Sequence, residues 1–205
     1  MEKYFRIYDT PLRFISYFYQ TNLVRQINPD KVLEIGIGNK TVSNYLKEHG
    51  VNLTTCDINK ELEPDYVADI RRLPFKNNSF NAVLAYEILE HLPWEDVEIA
   101  LNELHRVSKK NVIISLPFYA ASFETVLKFP GLKRISNKPY LDLFFRIPYF
   151  FRTQESKEHY WEIGQKGYPL KKIRRLLGKN FKIEKELRPP LNSYHHFFLL
   201  KVKDK

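Results

Sequence analysis

Apolar positions recur along this chain at two periods, and the two alternate. Thr10-Pro11 reads as a helix start, with Thr10 as N-cap and Pro11 at the first helical position. Leu12, Ile15, Tyr19, Leu23 and Ile27 follow at helical spacing, so that face is expected against a core; Asn28-Pro29-Asp30 ends the helix. The apolar run Val32-Leu33-Glu34-Ile35 predicts a buried strand, closed by the turn Gly36-Ile37-Gly38. Thr41 to Glu48 predicts a helix capped by Gly50. Strands are then expected at Val51 to Cys56, Tyr66 to Ala68, Ala82 to Ala85 and Asn111 to Ser115. Between the last two lies a helix, Trp94 to Val107, with Val97, Ala100, Leu101 and Leu104 on one face. Strands alternating with helices imply right-handed crossovers and a parallel sheet covered on both faces.

After Pro117 the pattern changes. Residues 118–168 carry no clear period, several prolines and a dense scatter of rings. Pro169 then opens a basic helix, Leu170 to Leu177, closed by Gly178. Two strands, Phe181 to Leu187 and His196 to Val202, finish the chain. Their short connection makes them antiparallel, so the sheet is expected to be parallel with one reversed strand. The organisation is one domain over residues 1–205: an N-terminal helix (1–29), a core (30–117), an insertion (118–168) and a C-terminal helix and hairpin (169–205).

Composition narrows the class. With 43% hydrophobic and 28% charged residues in 205, the chain is globular. The single cysteine, Cys56, excludes a disulfide framework or a cysteine-built zinc site, and points to a reducing, cytoplasmic compartment. No apolar run is long enough to span a bilayer. The net charge of +9 lies beyond residue 117, led by Lys171, Lys172, Arg174 and Arg175. It fits an anionic partner, whether nucleic acid, an anionic membrane surface or a charged small molecule. The 13 Tyr, 15 Phe and 2 Trp concentrate in the first 28 residues and the insertion, densest at Phe144, Phe145, Tyr149, Phe150 and Phe151. Lys133, Arg134, Lys138, Arg146 and Arg152 stand among the insertion's rings.

In an open parallel sheet, ligands bind outside the carboxyl ends of the strands. Those ends carry Glu34 with Gly36 and Gly38, then Asp57, Asp69, and Tyr86-Glu87. The glycines let backbone approach a ligand, and Asp57 suits both hydroxyls of a ribose. A nicotinamide enzyme and an S-adenosylmethionine enzyme both fit this much. A dinucleotide fingerprint wants a third glycine where Thr41 stands, and Glu34 would set a carboxylate beside a pyrophosphate. The same Glu34 suits an ammonium and a sulfonium.

On these residues the chain resembles the class I S-adenosylmethionine-dependent methyltransferases. Val32 to Gly38 is similar to their first motif, Thr55 to Ile58 to the second, and Ala68 to Phe75 with Ser79 to Val83 to the third. Glu87-Ile88-Leu89-Glu90-His91-Leu92 resembles the segment after strand four in the methyltransferase type 11 group, which includes quinone-biosynthesis enzymes. Lys40 departs from the pattern, standing where many members carry a glycine or small residue. The resemblance implies a Rossmann-like α/β fold with a seven-stranded, mostly parallel sheet, helices on both faces, and an aromatic insertion of helix and loop after strand five. It implies S-adenosylmethionine as cofactor and S-adenosylhomocysteine as product. Glu34, Gly36, Ile37 and Gly38 would surround the methionine part, Asp57 the ribose and Ile58 the adenine. Asp69 would meet the adenine amino group with Ile70 beside the ring, and Tyr86 and Glu87 would close the pocket.

Methyl transfer is an in-line displacement dominated by positioning, with a base needed only where the acceptor loses a proton. Candidates for acceptor chemistry are His91, His159 and Tyr160, the last two within His159-Tyr160-Trp161-Glu162. No metal-ligand spacing is visible in the sequence, and no Pro-Cys nucleophile or Asn/Asp/Ser-Pro-Pro-aromatic element of the DNA-methylating enzymes. A small, partly hydrophobic or anionic acceptor is expected. An RNA- or membrane-associated enzyme using the basic C-terminal third, or a non-catalytic cofactor-binding module, are the alternatives.

Overall fold

The computed structural model describes residues 9–137, 139–147 and 158–203. Lys138, Tyr149, Phe150, Phe151 and Arg152 of the insertion lie outside the described residues.

Seven strands form one sheet: β1 (Val32–Ile35), β2 (Leu53–Asp57), β3 (Tyr66–Val67), β4 (Phe80–Tyr86), β5 (Ser108–Pro117), β8 (Phe181–Leu187) and β9 (His195–Val202). Their order is β3-β2-β1-β4-β5-β9-β8. The first five run parallel, and β9 is antiparallel to both β5 and β8, the expected reversed strand. Helices α1 (Pro11–Ile27) and α2 (Thr41–Glu48) cover one face, burying Leu23, Val24, Val42 and Leu46 against Val32, Leu84, Ile113 and Phe197. Helices α3 (Trp94–Val107) and α5 (Leu170–Asn180) cover the other, with Val97, Leu101, Leu104, Ile173 and Leu177 packed on Leu33, Val83, Val112 and Phe198. Adjacent residues of β1, β4 and β5 thus serve opposite layers, which is why these strands read as unbroken apolar runs.

Three local expectations change. The predicted stripe of α1 is only partly the one it buries: Leu23 is buried and Tyr19 and Ile27 pack on the core, but Leu12 is exposed, and Ser16, Gln20 and Val24 are buried as well. The inward polar face has partners, since Ser16 Oγ lies 2.6 Å from His195 Nδ1 and accepts the Gln20 side-chain amide at 3.1 Å, while the Gln20 backbone carbonyl accepts the Tyr86 hydroxyl at 3.1 Å. Gly178 does not close α5, which continues to Asn180. The insertion holds, besides a short helix α4 (Leu132–Ser136), an antiparallel ribbon of β6 (Ala121–Leu127) and β7 (Leu141–Ile147).

That ribbon is pinned by its polar positions. The Arg188 guanidinium bonds Glu124 at 2.8 Å and Asp142, and lies 3.7 Å over the Phe144 ring. Arg146 stacks 3.4 Å over Phe118 and donates to the Ser193 carbonyl. The outward positions Phe123, Leu143, Phe145 and Ile147 are exposed.

Candidate active site

The carboxyl ends of β1, β2 and β4 open into a cleft. Gly36 turns the chain at φ +76°, a conformation that favours glycine, and a Cβ there would fall 1.9 Å from Ile88 Cδ1, so any side chain must displace Ile88 in the segment after β4. Gly38 is also left-handed, at φ +50°, with open space where a side chain would project. Lys40 caps α2 at φ +64°, which explains why a glycine suits this position; its ammonium reaches out to Glu63 at 3.4 Å. Asp57 ties the turn down: Oδ2 accepts the Ile37 N–H at 2.9 Å and Oδ1 the Asn59 N–H at 2.8 Å.

The cleft has two adjoining lobes. One, about 240 Å³, is lined by Glu34, Gly36, Ile37, Gly38, Asp57, Tyr86 and Glu87, with Arg13, Tyr17 and Gln20 of α1 as its roof. The other is lined by Gly36, Asp57, Ile58, Asp69, Ile70, Ile88 and Tyr160. His91 borders both. Every residue expected to surround a cofactor therefore faces one lobe or the other.

The electrostatics differ across the cleft. Glu34 is 3% exposed; burial pushes its carboxyl up to about 7, although the Ser43 hydroxyl donates to it at 2.6 Å. Tyr86 is buried beside it, its phenol raised by desolvation and then by Glu34. Asp69 is held by the Arg71 side chain and backbone N–H, which pull its carboxyl down, and Arg71 also bonds Asp96 at 2.5 Å. An adenine amino group would share Asp69 with that guanidinium. Cys56 is a buried strand residue whose thiol burial raises to about 11, no nucleophile at neutral pH. Glu87 sits in the left-handed region at φ +53°, an uncommon conformation for a non-glycine residue, with Oε2 3.5 Å from His195 Nε2.

The candidate acceptor residues separate. His91 and His159 come together, ring centroids 4.8 Å apart and nearly perpendicular. His91 is held by the Glu158 carbonyl, 2.7 Å from Nδ1, and burial lowers its pKa. His159 Nδ1 lies 2.7 Å from Glu162 Oε1, which also accepts the Tyr194 hydroxyl at 2.9 Å. Tyr160 is exposed on the wider lobe, away from Glu34. Trp161 is an anchor: 1% exposed, bonded to the Leu92 carbonyl and edge-on to Trp94. Sequence reasoning gave no role to His195, Tyr194 or Glu90, which are drawn to this wall with Glu162. The consecutive Tyr194-His195-His196 ahead of an apolar strand was the available signal.

The seven-stranded sheet with one reversed strand, with acids at the ends of β1 and β2 beside a glycine turn, opens a cleft at its carboxyl edge suited to a nucleoside ligand. Residues 33–116 match the family model described as a methyltransferase domain. Over that stretch the chain is similar to methyltransferases of the type 11 kind. No curated protein matches the sequence. Solved structures share the fold at low identity. Magnesium protoporphyrin IX methyltransferase of Synechocystis PCC 6803 with bound S-adenosylhomocysteine has a TM-score of 0.63 at 16% identity, covering 98% of this chain and 94% of that one. The N-methyltransferase NodS of Bradyrhizobium japonicum WM9, also with S-adenosylhomocysteine, has 0.62 at 10%, covering 97% and 91%. The 1,6-didemethyltoxoflavin-N1-methyltransferase of Burkholderia thailandensis, with 1,6-didemethyltoxoflavin and S-adenosylhomocysteine bound, has 0.60 at 13%, covering 92% and 78%.

Proposed function

We propose that the enzyme methylates a small, partly hydrophobic or anionic acceptor, and that the two lobes divide one S-adenosylmethionine between them. Glu34, Gly36, Ile37 and Gly38 hold the methionine part, where the Glu34 carboxylate meets the ammonium. Asp57 takes the ribose hydroxyls through the lone pairs left after its two backbone bonds. Ile58, Ile70 and Asp69 bound the adenine, while Tyr86 and Glu87 close the sulfonium end. The observation that carries this reading is the convergence of Glu34 and Asp57, one at about pKa 7 and one locked to the glycine turn, on a single cavity.

The acceptor approaches from the wall built by His91 and His159, under α1, where Arg13 offers positive charge and Ile88 apolar surface. Tyr160 stands at the rim. Holding acceptor and methyl in line supplies the rate. Two of the neighbours bear names of small-molecule methyltransferases, one acting on magnesium protoporphyrin IX and one on 1,6-didemethyltoxoflavin; both favour an acceptor of that class over RNA. Among the described residues no helix is long and apolar enough to cross a membrane. The test is transfer of a labelled methyl group into metabolite, lipid and RNA fractions. Label confined to small metabolites is expected, and label confined to RNA or lipid would refute the acceptor class.

A further inference from the structure

Among the described residues, Glu90 is a buried carboxylate in an unfavourable setting. It lies on the short helical turn Leu89–His91, is wholly buried, and neither carboxylate oxygen has a hydrogen-bond partner among the described residues. A buried carboxylate with no partner is costly unless a proton or a cation relieves it. The groups beside it are suited to a cation. One ligand atom each from Glu90, His91 and His159 lie within 4.8 Å of one another, although His159 is far along the chain. Both rings are oriented as ligands are. A carbonyl can only accept, so His91 carries its hydrogen on Nδ1 toward Glu158; the Glu162 carboxylate places the neutral His159 hydrogen on Nδ1 in the same way. In each ring Nε2 is then the lone-pair nitrogen, the tautomer that a hydrogen bond to a carbonyl or carboxylate fixes in metal-binding histidines.

We infer that Glu90, His91 and His159 form a divalent transition-metal site at the edge of the cleft, with Glu162 and the Glu158 carbonyl orienting the two imidazoles. Two imidazoles and one carboxylate suit zinc or iron(II) and leave coordination open for water or an acceptor oxygen. Ligand atoms around such an ion stand about 3–4 Å apart, so closure needs side-chain shifts of only about an ångström. Because His91 borders both lobes, the ion would sit where an oxygen-bearing acceptor meets the cofactor. That last point rests on the methyltransferase reading; the metal site itself does not.

The test uses full-length protein stripped with a chelator, titrated calorimetrically with ZnCl2 and by visible absorption with CoCl2, both without cofactor. One ion per chain is expected, with the tetrahedral or five-coordinate cobalt spectrum. Glu90→Gln and His159→Asn should each weaken zinc binding by about 100-fold or more, beyond the loss of an outer partner. S-adenosylhomocysteine affinity of Glu90→Gln should remain within about threefold of the parent, an order of magnitude below the loss of a direct contact. Should Glu90→Gln not fold, His159→Asn alone decides. No stoichiometric binding, or binding that both variants leave intact, overturns the site. Absence of S-adenosylhomocysteine binding by the parent protein, with metal binding present, would instead count against the methyltransferase reading.

Discussion

Replacing Glu34 by Gln removes one ionisable group while keeping an acceptor for the Ser43 hydroxyl. Burial moves the Glu34 carboxyl from its ordinary 4.5 to about 7 in the folded protein. A raised acid is one that the folded state prefers protonated. Its favourable contribution is therefore full below pH 4.5 and is lost as pH rises through about 7. The shift corresponds to at most about 3 kcal/mol. Without ligand, the Gln variant should match the parent near pH 4.5 and exceed it at pH 8, by about 6–12 °C in Tm if the whole 3 kcal/mol appears. Cofactor binding should change in the opposite sense. Pairing with an ammonium requires the ionised carboxylate, so S-adenosylhomocysteine should bind the parent more tightly as pH rises from 6 to 8 and release a proton on binding. Loss of one charge-assisted bond, about 1.5–3 kcal/mol, predicts about 10- to 150-fold weaker binding for the variant at pH 8. Thermal unfolding across pH, with calorimetry in buffers of different ionisation enthalpy, reads both effects. Parallel stability curves from pH 4.5 to 8, or unchanged affinity at pH 8, would refute the reasoning.

Asp57→Ala removes the acceptor of the Ile37 and Asn59 amides as well as the ribose partner, so S-adenosylhomocysteine affinity in calorimetry should fall at least as far as in Glu34→Gln; normal binding would contradict the assigned role. Gly36→Ala should destabilise by about 2–4 kcal/mol in chemical denaturation, from left-handed strain and the clash with Ile88, and adding Ile88→Ala should restore only the steric part. Arg188→Ala leaves Glu124 and Asp142 half-buried without their cation; hydrogen exchange should accelerate across 121–147 while β1 and β4 keep their protection, and uniform protection would show that the ribbon is held otherwise.

The parallel half of the sheet was legible because two local signals agree. Unbroken apolar runs mark strands buried on both faces, and glycine at positions 36 and 38 marks backbone that must turn left-handed between strand and helix. Acids at strand ends then needed only the parallel order to converge. The α1 face was legible only in part, because Ser16 and Gln20 also turn inward, Ser16 to His195 and the Gln20 amide to Ser16, contrary to the rule that apolar residues face the core. The β6–β7 ribbon inverts the usual alternation. Asp142 and Arg146 are its anchored positions and Leu143 and Phe145 its exposed ones, so a period-2 pattern was hidden behind the wrong sign. The wall of Glu90, His91, His159 and His195 has no signature in spacing, since three separate segments supply it.

The C-terminal charge also reads differently in three dimensions. Arg174 is bonded to Glu186, Lys179 to Glu98, and Lys172 lies 4.1 Å over the Trp94 ring. Part of the basic excess that suggested an anionic partner is thus paired at the surface, while Lys171 and Arg175 are exposed charges of α5 outside these pairs. This weakens the case for a nucleic-acid surface there.

The most direct test of the cofactor assignment is calorimetric titration of full-length protein with S-adenosylhomocysteine at pH 8, repeated on Asp57→Ala. One site per chain with micromolar or tighter affinity, largely lost in the variant, is the predicted result. Absence of binding, or equal binding by the variant, would contradict it.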